Sequence, residues 1–170
     1  MIKIASMGEH ELLHFLRQHR LCVQASVASS GAPQAAVVGF AVSDDLEIVF
    51  DTIGTTRKMQ NLRRDPRVAL VVGWDDEQSV QLEGVADEPK GADLERLKKV
   101  YFEVYPECIP HQAWKDITYV RVRPKWARYS DFRPGGAIVE ITALSPSTLS
   151  AMPPPDFPAP QPVARSGGRW

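Results

Sequence analysis

Residues 46–74 read LEIVFDTIGTTRKMQNLRRDPRVALVVGW and hold two apolar runs with a short polar segment between them. The first run, Leu46–Thr52, has the apolar and β-branched content of a strand. A short helix is expected next, because Thr55 or Thr56 can cap its start and Pro66 stops it after Asp65. The second run, Arg67–Trp74, predicts another strand.

The flanking sequence adds strands and two longer helices. Hydrophobic periodicity predicts helices over Gly8–His19 and Ala92–Tyr105. Further strands are expected over residues 21–28, 34–42, 79–88, 117–123 and 137–141, with Trp126–Phe132 as an edge strand beyond Pro124. Gly84 indicates a bulge or a close backbone approach in the 79–88 strand. Short turns favour antiparallel pairing. The sequence therefore predicts a mainly β protein, an antiparallel sheet of six or seven strands closed into a barrel with two principal flanking helices.

Composition divides the chain into a domain, residues 1–144, and a proline-rich C-terminal tail, residues 145–170. The tail holds half of the fourteen prolines, so it is expected to be extended, with Phe157 or Trp170 as anchors against the domain. The formal net charge of −1 argues against nucleic-acid binding. No apolar run has the length of a membrane span, and no secretory signal begins the sequence.

Cys22 and Cys108 are far apart and match no metal-binding or redox spacing. We therefore expect two reduced thiols, no metal site and a cytoplasmic protein.

One motif matches the H-E-x-x-H pattern of zinc proteases, at His10-Glu11-Leu12-Leu13-His14. At about 100° per residue, Leu12, Phe15 and Leu16 form the buried stripe of a helix, and both histidines lie on the opposite side. The motif is therefore expected to be the solvent face of a helix that covers the barrel.

The junction after the Leu46–Thr52 strand has the chemistry of a phosphate site. Thr55 and Thr56 can donate hydroxyl hydrogen bonds, Arg57 can pair with two oxygens, and Lys58 adds a positive charge at a helix start. The alternative is a capped helix whose basic first turn is simply solvated. Because cations are unfavourable in a first turn, a bound anion would explain them.

Four segments in register resemble the pyridoxamine-phosphate-oxidase-like family. That family has a strand similar to F-Y-T, then S-R-K, then an N/D-P-R-x-x-L strand that ends in W, and a V-x-V-E-G strand. The corresponding segments here are Phe50-Asp51-Thr52, Thr56-Arg57-Lys58, Asp65-Pro66-Arg67-Val68-Ala69-Leu70 through Trp74, and Val80-Gln81-Leu82-Glu83-Gly84. The matching region covers about a third of the chain, from Pro33 to Glu88.

The resemblance implies an FMN-binding split β-barrel and a homodimer with the flavin at the subunit interface. Val49, Phe50, Asp51 and Thr52 would border the isoalloxazine ring through their backbone. Thr56, Arg57 and Lys58 would hold the phosphate, with Thr55 beside them. Gln81 aligns with a strand position near the cofactor. The partner subunit would contribute to each site through Trp126 or Arg128, although Trp126 is equally suited to be an interface or core aromatic residue.

The chain also departs from the oxidases of this family. The arginine and lysine that those enzymes place around their second strand are missing at Gln34–Gly39, and Asp51 replaces a tyrosine. The segment that grips pyridoxal phosphate is absent, so oxidation of pyridoxamine phosphate is not expected. The leading hypothesis is an FMN-dependent oxidoreductase of an unidentified small molecule, with no catalytic residue assigned.

Two alternatives remain open. The chain could be a flavin sensor or carrier without turnover, with the tail recruiting a partner. It could also be a split barrel that binds haem, with His111, His10 or His14 as ligands, or a deazaflavin.

Overall fold

A computed structural model describes residues 8–141 and residue 144. The strands are β1 (Leu21–Val27), β2 (Pro33–Gly39), β3 (Ala41–Val42), β4 (Ile48–Ile53), β5 (Arg67–Val72), β6 (Gln78–Asp87), β7 (Ile117–Asp131) and β8 (Ile138–Ile141). The helices are α1 (Glu9–Arg17), α2 (Arg57–Arg64), α3 (Gly91–Val104) and a 3₁₀ helix (Pro106–Ala113). The tail, with Phe157 and Trp170, lies outside the described residues, so the boundary at residue 144 stays a prediction.

The strands form one curled antiparallel sheet in the order β2-β1-β5-β6-β7-β4-β3, with β8 also paired to β7. The predicted strand over residues 34–42 bends at Phe40 into β2 and β3. β2 pairs with β1, and β3 pairs with β4, so this one run joins the two ends of the strand order. If β2 and β3 are counted as one strand, the sheet has seven strands, which is within the predicted number of six or seven. The fold is the predicted split β-barrel.

The prediction of an edge strand over Trp126–Phe132 is wrong. β7 continues through Pro124 as one strand whose two edges are both paired, to β6 on one side and to β4 and then β8 on the other. A register shift between Glu83 and Gly84 accommodates the proline, which lies opposite Gly84. A Cβ atom at Gly84 would overlap the Arg123 carbonyl oxygen, so the predicted bulge at this glycine is confirmed.

The core has two parts, on opposite faces of β4. Ile48 and Phe50 point into the barrel, whereas Val49 packs beneath α3 with Leu97 and Tyr101. This alternation follows from the two-residue period of a strand.

Helices close the barrel. As predicted, α1 buries Leu12, Phe15 and Leu16, while His10 and His14 are exposed. α2 contributes Met59 and Leu62 to the interior. Within the described residues, no helix combines the length and apolar character that crossing a membrane requires.

Arg121 is the best-buried cation among the described residues, with 6% of its surface exposed. Its guanidinium donates to Asp87 at 2.6 and 2.9 Å, to Glu47 at 3.1 Å and to Asp93 at 3.1 Å. Burial opposes ionisation of Asp87, but the hydrogen bonds and positive charges of Arg121 and Arg123 together outweigh it and lower the pKa of that carboxyl. These pairs connect β7 to β6, α3 and the loop before β4.

Candidate cofactor site

The β4–α2 junction is a compact turn built by backbone hydrogen bonds. Gly54 N donates to the Asp116 carbonyl oxygen at 2.7 Å, and Thr56 N donates to the Ile53 carbonyl oxygen at 3.0 Å. Lys58 folds back over the turn, and its Nζ donates to Thr52 Oγ1 at 3.3 Å. The structure therefore brings Thr52, Thr56, Arg57 and Lys58 to one short segment, as the sequence predicted.

Thr56 occupies the N-cap position of α2, but its hydroxyl makes no capping hydrogen bond. Its Oγ1 is buried and has no hydrogen-bond partner among the described residues. Such an atom normally has a partner, because burying an unpaired hydroxyl costs about 1–3 kcal/mol. Thr55 is exposed, and its carbonyl oxygen accepts a hydrogen bond from the Gln60 side chain. An anion at the start of α2 would supply the missing acceptor for Thr56.

The two cations of this turn carry no carboxylate partner within the described part of the chain. Arg57 lies beside the Gln34 amide, with its Nε 3.1 Å from the amide oxygen when that oxygen faces it. By contrast, Arg63 at the other end of α2 forms two hydrogen bonds with Glu88. The first turn of α2 contains no acidic residue. The start of the helix is thus a positive site with uncommitted donors.

β4 buries two of its side chains, but one of its backbone edges is only partly paired. Val49 and Phe50 are fully buried, so neither side chain can contact a ligand. Residues 48–53 pair with β7, but β3 covers only Ile48 and Val49 on the other edge. No described strand pairs with that edge at residues 50–53. Val49 and Phe50 are 0% exposed, backbone included, so only residues 51–53, which are partly exposed, can offer their backbone to a ligand on that edge. The predicted backbone contacts are therefore restricted to Asp51 and Thr52.

Gln81 and Trp126 lie on the outer face of the sheet. Gln81 pairs directly with Arg128, and Trp126 pairs with Glu83, so all four side chains share one face. Arg128 Nε is buried without a hydrogen-bond partner in the described residues. No hydrogen bond or ion pair recorded for these residues links Gln81 or Trp126 to the α2 turn. One subunit alone does not unite the predicted set.

A second group of polar residues, which sequence analysis missed, surrounds the Asp51 side chain beneath α3. Tyr101 donates its hydroxyl to Asp51 Oδ1 at 2.8 Å, and His111 Nδ1 lies 3.9 Å from Asp51 Oδ2. Tyr119 is opposite Asp51 in the β4–β7 register. Burial, followed by the Asp51 carboxylate and Cys108, raises the pKa of Tyr119 to about 12. Only the tertiary fold brings these residues together, so no local motif marked them.

Residues 9–131 match the sequence profile of pyridoxamine 5'-phosphate oxidase. The chain belongs to this family. Membership in the pyridoxamine 5'-phosphate oxidase family confirms the resemblance seen over Pro33–Glu88 and extends it across most of the domain. No curated protein matches the chain significantly in sequence.

Three solved structures illustrate what this member of the pyridoxamine 5'-phosphate oxidase family is similar to. A conserved hypothetical protein, Rv2991 from Mycobacterium tuberculosis, is 30% identical with a TM-score of 0.64, over 75% of this chain and 87% of that one. A haem-binding protein from Mycobacterium smegmatis is 17% identical with a TM-score of 0.69, over 82% of this chain and 60% of that one. A putative pyridoxamine 5'-phosphate oxidase from Listeria innocua is 20% identical with a TM-score of 0.61, over 71% of this chain and 96% of that one. The last two likenesses show the fold alone, and this chain spans 60% of the M. smegmatis protein.

Proposed function

We propose that the chain binds FMN, with the phosphate at the start of α2, and acts as an FMN-dependent oxidoreductase on a small molecule. The observation that carries the proposal is the buried, unpartnered hydroxyl of Thr56 beside two cations that lack carboxylate partners. A phosphate group fits these donors, because it offers several acceptor oxygens and a negative charge at a helix N-terminus.

The protein's part in the chemistry is to hold and orient the cofactor. FMN, when bound, supplies hydride and electron transfer. Thr56, Arg57 and Lys58 would hold the phosphate, and the backbone of Asp51 and Thr52 would border the ring. No catalytic acid or base is assigned to this turn.

The visible absorption spectrum of the full chain tests the cofactor. Protein purified without added cofactor and then equilibrated with FMN is expected to show the two flavin bands after gel filtration. A Soret band would instead indicate haem, which the likeness to a haem-binding protein and the partly buried His111 favour as the second candidate. Deazaflavin absorbance without flavin-type fluorescence would indicate the third ligand. A chain that retains none of these would overturn the cofactor proposal.

Turnover separates an enzyme from a carrier. With FMN bound, an oxidoreductase is expected to oxidise a nicotinamide donor repeatedly and to be reoxidised. A protein that binds FMN tightly but oxidises no donor would be a flavin sensor or carrier.

The outer sheet face supports the proposed homodimer. Val37, Val23 and Val71 lie side by side across β2, β1 and β5, and Val37 is 61% exposed. The same row continues into Gln81 and Arg128. An apolar patch next to an unpartnered arginine suits a two-fold interface that also borders a ligand. In such a dimer, Trp126 and Arg128 of one subunit would complete the other subunit's site.

Val37→Asp is expected to convert the dimer to monomer, because it places a charge at the exposed β2 end of the apolar row. Light scattering coupled to gel filtration measures the mass directly. Ile109→Asp is the matched control, since Ile109 is an exposed apolar residue that belongs to the 3₁₀ helix and not to the row of valines. The homodimer proposal fails if the unchanged protein is monomeric, or if the control dissociates as readily as Val37→Asp.

A further inference from the structure

Three side chains with metal-ligating atoms meet beneath α3. Asp51 comes from β4, while Cys108 and His111 come from the 3₁₀ helix. One ligand atom from each, the carboxylate oxygen, the thiol sulfur and an imidazole nitrogen, lies within 4.8 Å of the other two. The spacing of Cys108 and His111 follows from the 3₁₀ geometry, in which residues three apart lie on the same side.

We propose that Asp51, Cys108 and His111 bind a divalent transition metal ion of the zinc type, with a fourth position open to water. Sulfur, nitrogen and carboxylate oxygen together are donors that Zn²⁺ accepts, whereas Mg²⁺ and Ca²⁺ prefer oxygen alone. An ion centred in a triangle with sides of 4.8 Å would lie about 2.8 Å from each corner, so shifts of roughly 0.5–0.8 Å give normal bond lengths.

Neighbouring groups already hold two of the ligands in place. The hydroxyl of Tyr101 donates to Asp51 Oδ1, which leaves Oδ2 directed at His111. The indole of Trp114 stacks on the His111 ring, with centroids 3.8 Å apart and an interplanar angle of 23°. Supporting contacts of this kind orient the ligands of metal sites.

Tyr119 provides a second, independent sign of a missing ligand. Its side chain lies on the same face as Asp51, directly opposite it in the β4–β7 pairing. The residue is 6% exposed, and its hydroxyl is buried without a hydrogen-bond partner in the part of the chain that the structure describes. A metal-bound water would give this hydroxyl a partner.

The site is accessible and its charges balance. The His111 and Asp51 side chains are 29% and 19% exposed, so an ion can enter from solvent. On binding, the Cys108 thiol releases its proton to solvent, and thiolate and carboxylate together neutralise the two charges of the ion. His111 binds as the neutral imidazole.

This inference is independent of the proposed FMN site. The Asp51 side chain points beneath α3, whereas Thr52, which Lys58 contacts, points to the opposite face of β4. Metal binding and FMN binding are therefore measured separately, and either can fail alone.

The test uses the full chain, freed of metal with a chelator and titrated with Co²⁺ and then Zn²⁺. We expect one equivalent of Co²⁺ to bind with a thiolate-to-cobalt charge-transfer band and the visible bands of tetrahedral cobalt, and Zn²⁺ to displace it. Cys108→Ser and His111→Gln should each weaken binding by at least about a hundredfold, since even supporting residues change metal affinity by roughly 10–100-fold. The control is the double change His10→Ala with His14→Ala, which removes the exposed histidine pair of α1 and should leave binding unchanged.

Absence of Co²⁺ binding would overturn the proposal, as would binding that survives Cys108→Ser or that disappears in the α1 control. A second measurement needs no variant. In the unchanged protein, Zn²⁺ should slow alkylation of Cys108 by a thiol reagent at least about tenfold, as followed by mass spectrometry of the peptide that contains it. Alkylation at the same rate with and without Zn²⁺ would also overturn it.

Discussion

Replacing Arg57 and Lys58 together by alanine is expected to weaken FMN binding by roughly 10²–10⁴-fold. Each residue would donate charge-assisted hydrogen bonds to the phosphate worth about 1.5–3 kcal/mol, and about 1.4 kcal/mol corresponds to a tenfold change in affinity. The loss of FMN affinity should be large because, among the described residues, neither cation has a carboxylate partner that would compete with the phosphate for it. Quenching of flavin fluorescence during titration measures the affinity.

Riboflavin provides the decisive comparison, because it has the same ring system but no phosphate. The double variant should bind riboflavin as well as the unchanged protein does. Lys99→Ala with Lys115→Ala removes the same charge from exposed positions elsewhere and should leave FMN affinity within about threefold, given the screening of distant surface charges. If FMN and riboflavin lose affinity equally, these residues do not bind the phosphate.

Arg121→Ala is expected to lower the free energy of unfolding by about 1.5–3 kcal/mol, the usual range for hydrogen bonds to charged groups. The variant loses the hydrogen bonds of a buried guanidinium, but Arg96 and Arg123 still pair with the same carboxylates and limit the loss. The Asp87, Glu47 and Asp93 carboxylates would all lose a hydrogen-bond donor. Urea unfolding followed by tryptophan fluorescence measures the change.

The control for this variant is Arg17→Ala. Arg17 forms a 2.6 Å ion pair with Asp44, but both side chains are largely exposed, so the expected loss is at most about 1 kcal/mol. Equal losses in the two variants would show that burial of Arg121 is energetically unimportant.

The Arg121→Ala effect should also depend on pH. The pKa of Asp87 is lowered in the folded state from an ordinary value of 3.8, so its contribution to stability is present above that value and is lost as the pH falls below it. The difference in free energy of unfolding between the unchanged protein and the variant should therefore become smaller at acidic pH. A gap that stays constant from neutral to acidic pH would contradict the assigned role of this ion pair.

Short-range pattern predicted the elements of this fold well. The period of α1 identified its three buried residues, and the glycine and threonines of residues 54–56 identified the start of α2, because turn residues and N-cap residue types are local signals. Gly84 was assigned to a bulge for the right reason, since a side chain there would meet the backbone of β7.

Long-range geometry accounts for what the sequence could not predict. Pro124 suggested an edge strand because proline cannot donate to a ladder, yet the bulge opposite Gly84 accommodates it inside the sheet. Asp51 and Cys108 are far apart in the chain, and a 3₁₀ helix that no pattern predicted brings the thiol to the carboxylate. No sequence pattern near Arg128 predicted that its Nε would be buried without a hydrogen-bond partner among the described residues.

The position of β7 in the sheet has a consequence for the nascent chain. This strand pairs with β6, β4 and β8, so the barrel cannot close until residues 117–131 have left the ribosome. Before that point, β4 and β6 each have an edge whose backbone groups are unpaired. Ile48 and Phe50 are then not yet buried, because the barrel core has not formed. Such open edges and apolar surfaces are what chaperones bind. The emerging polypeptide is therefore expected to expose aggregation-prone edges until β7 has left the ribosome.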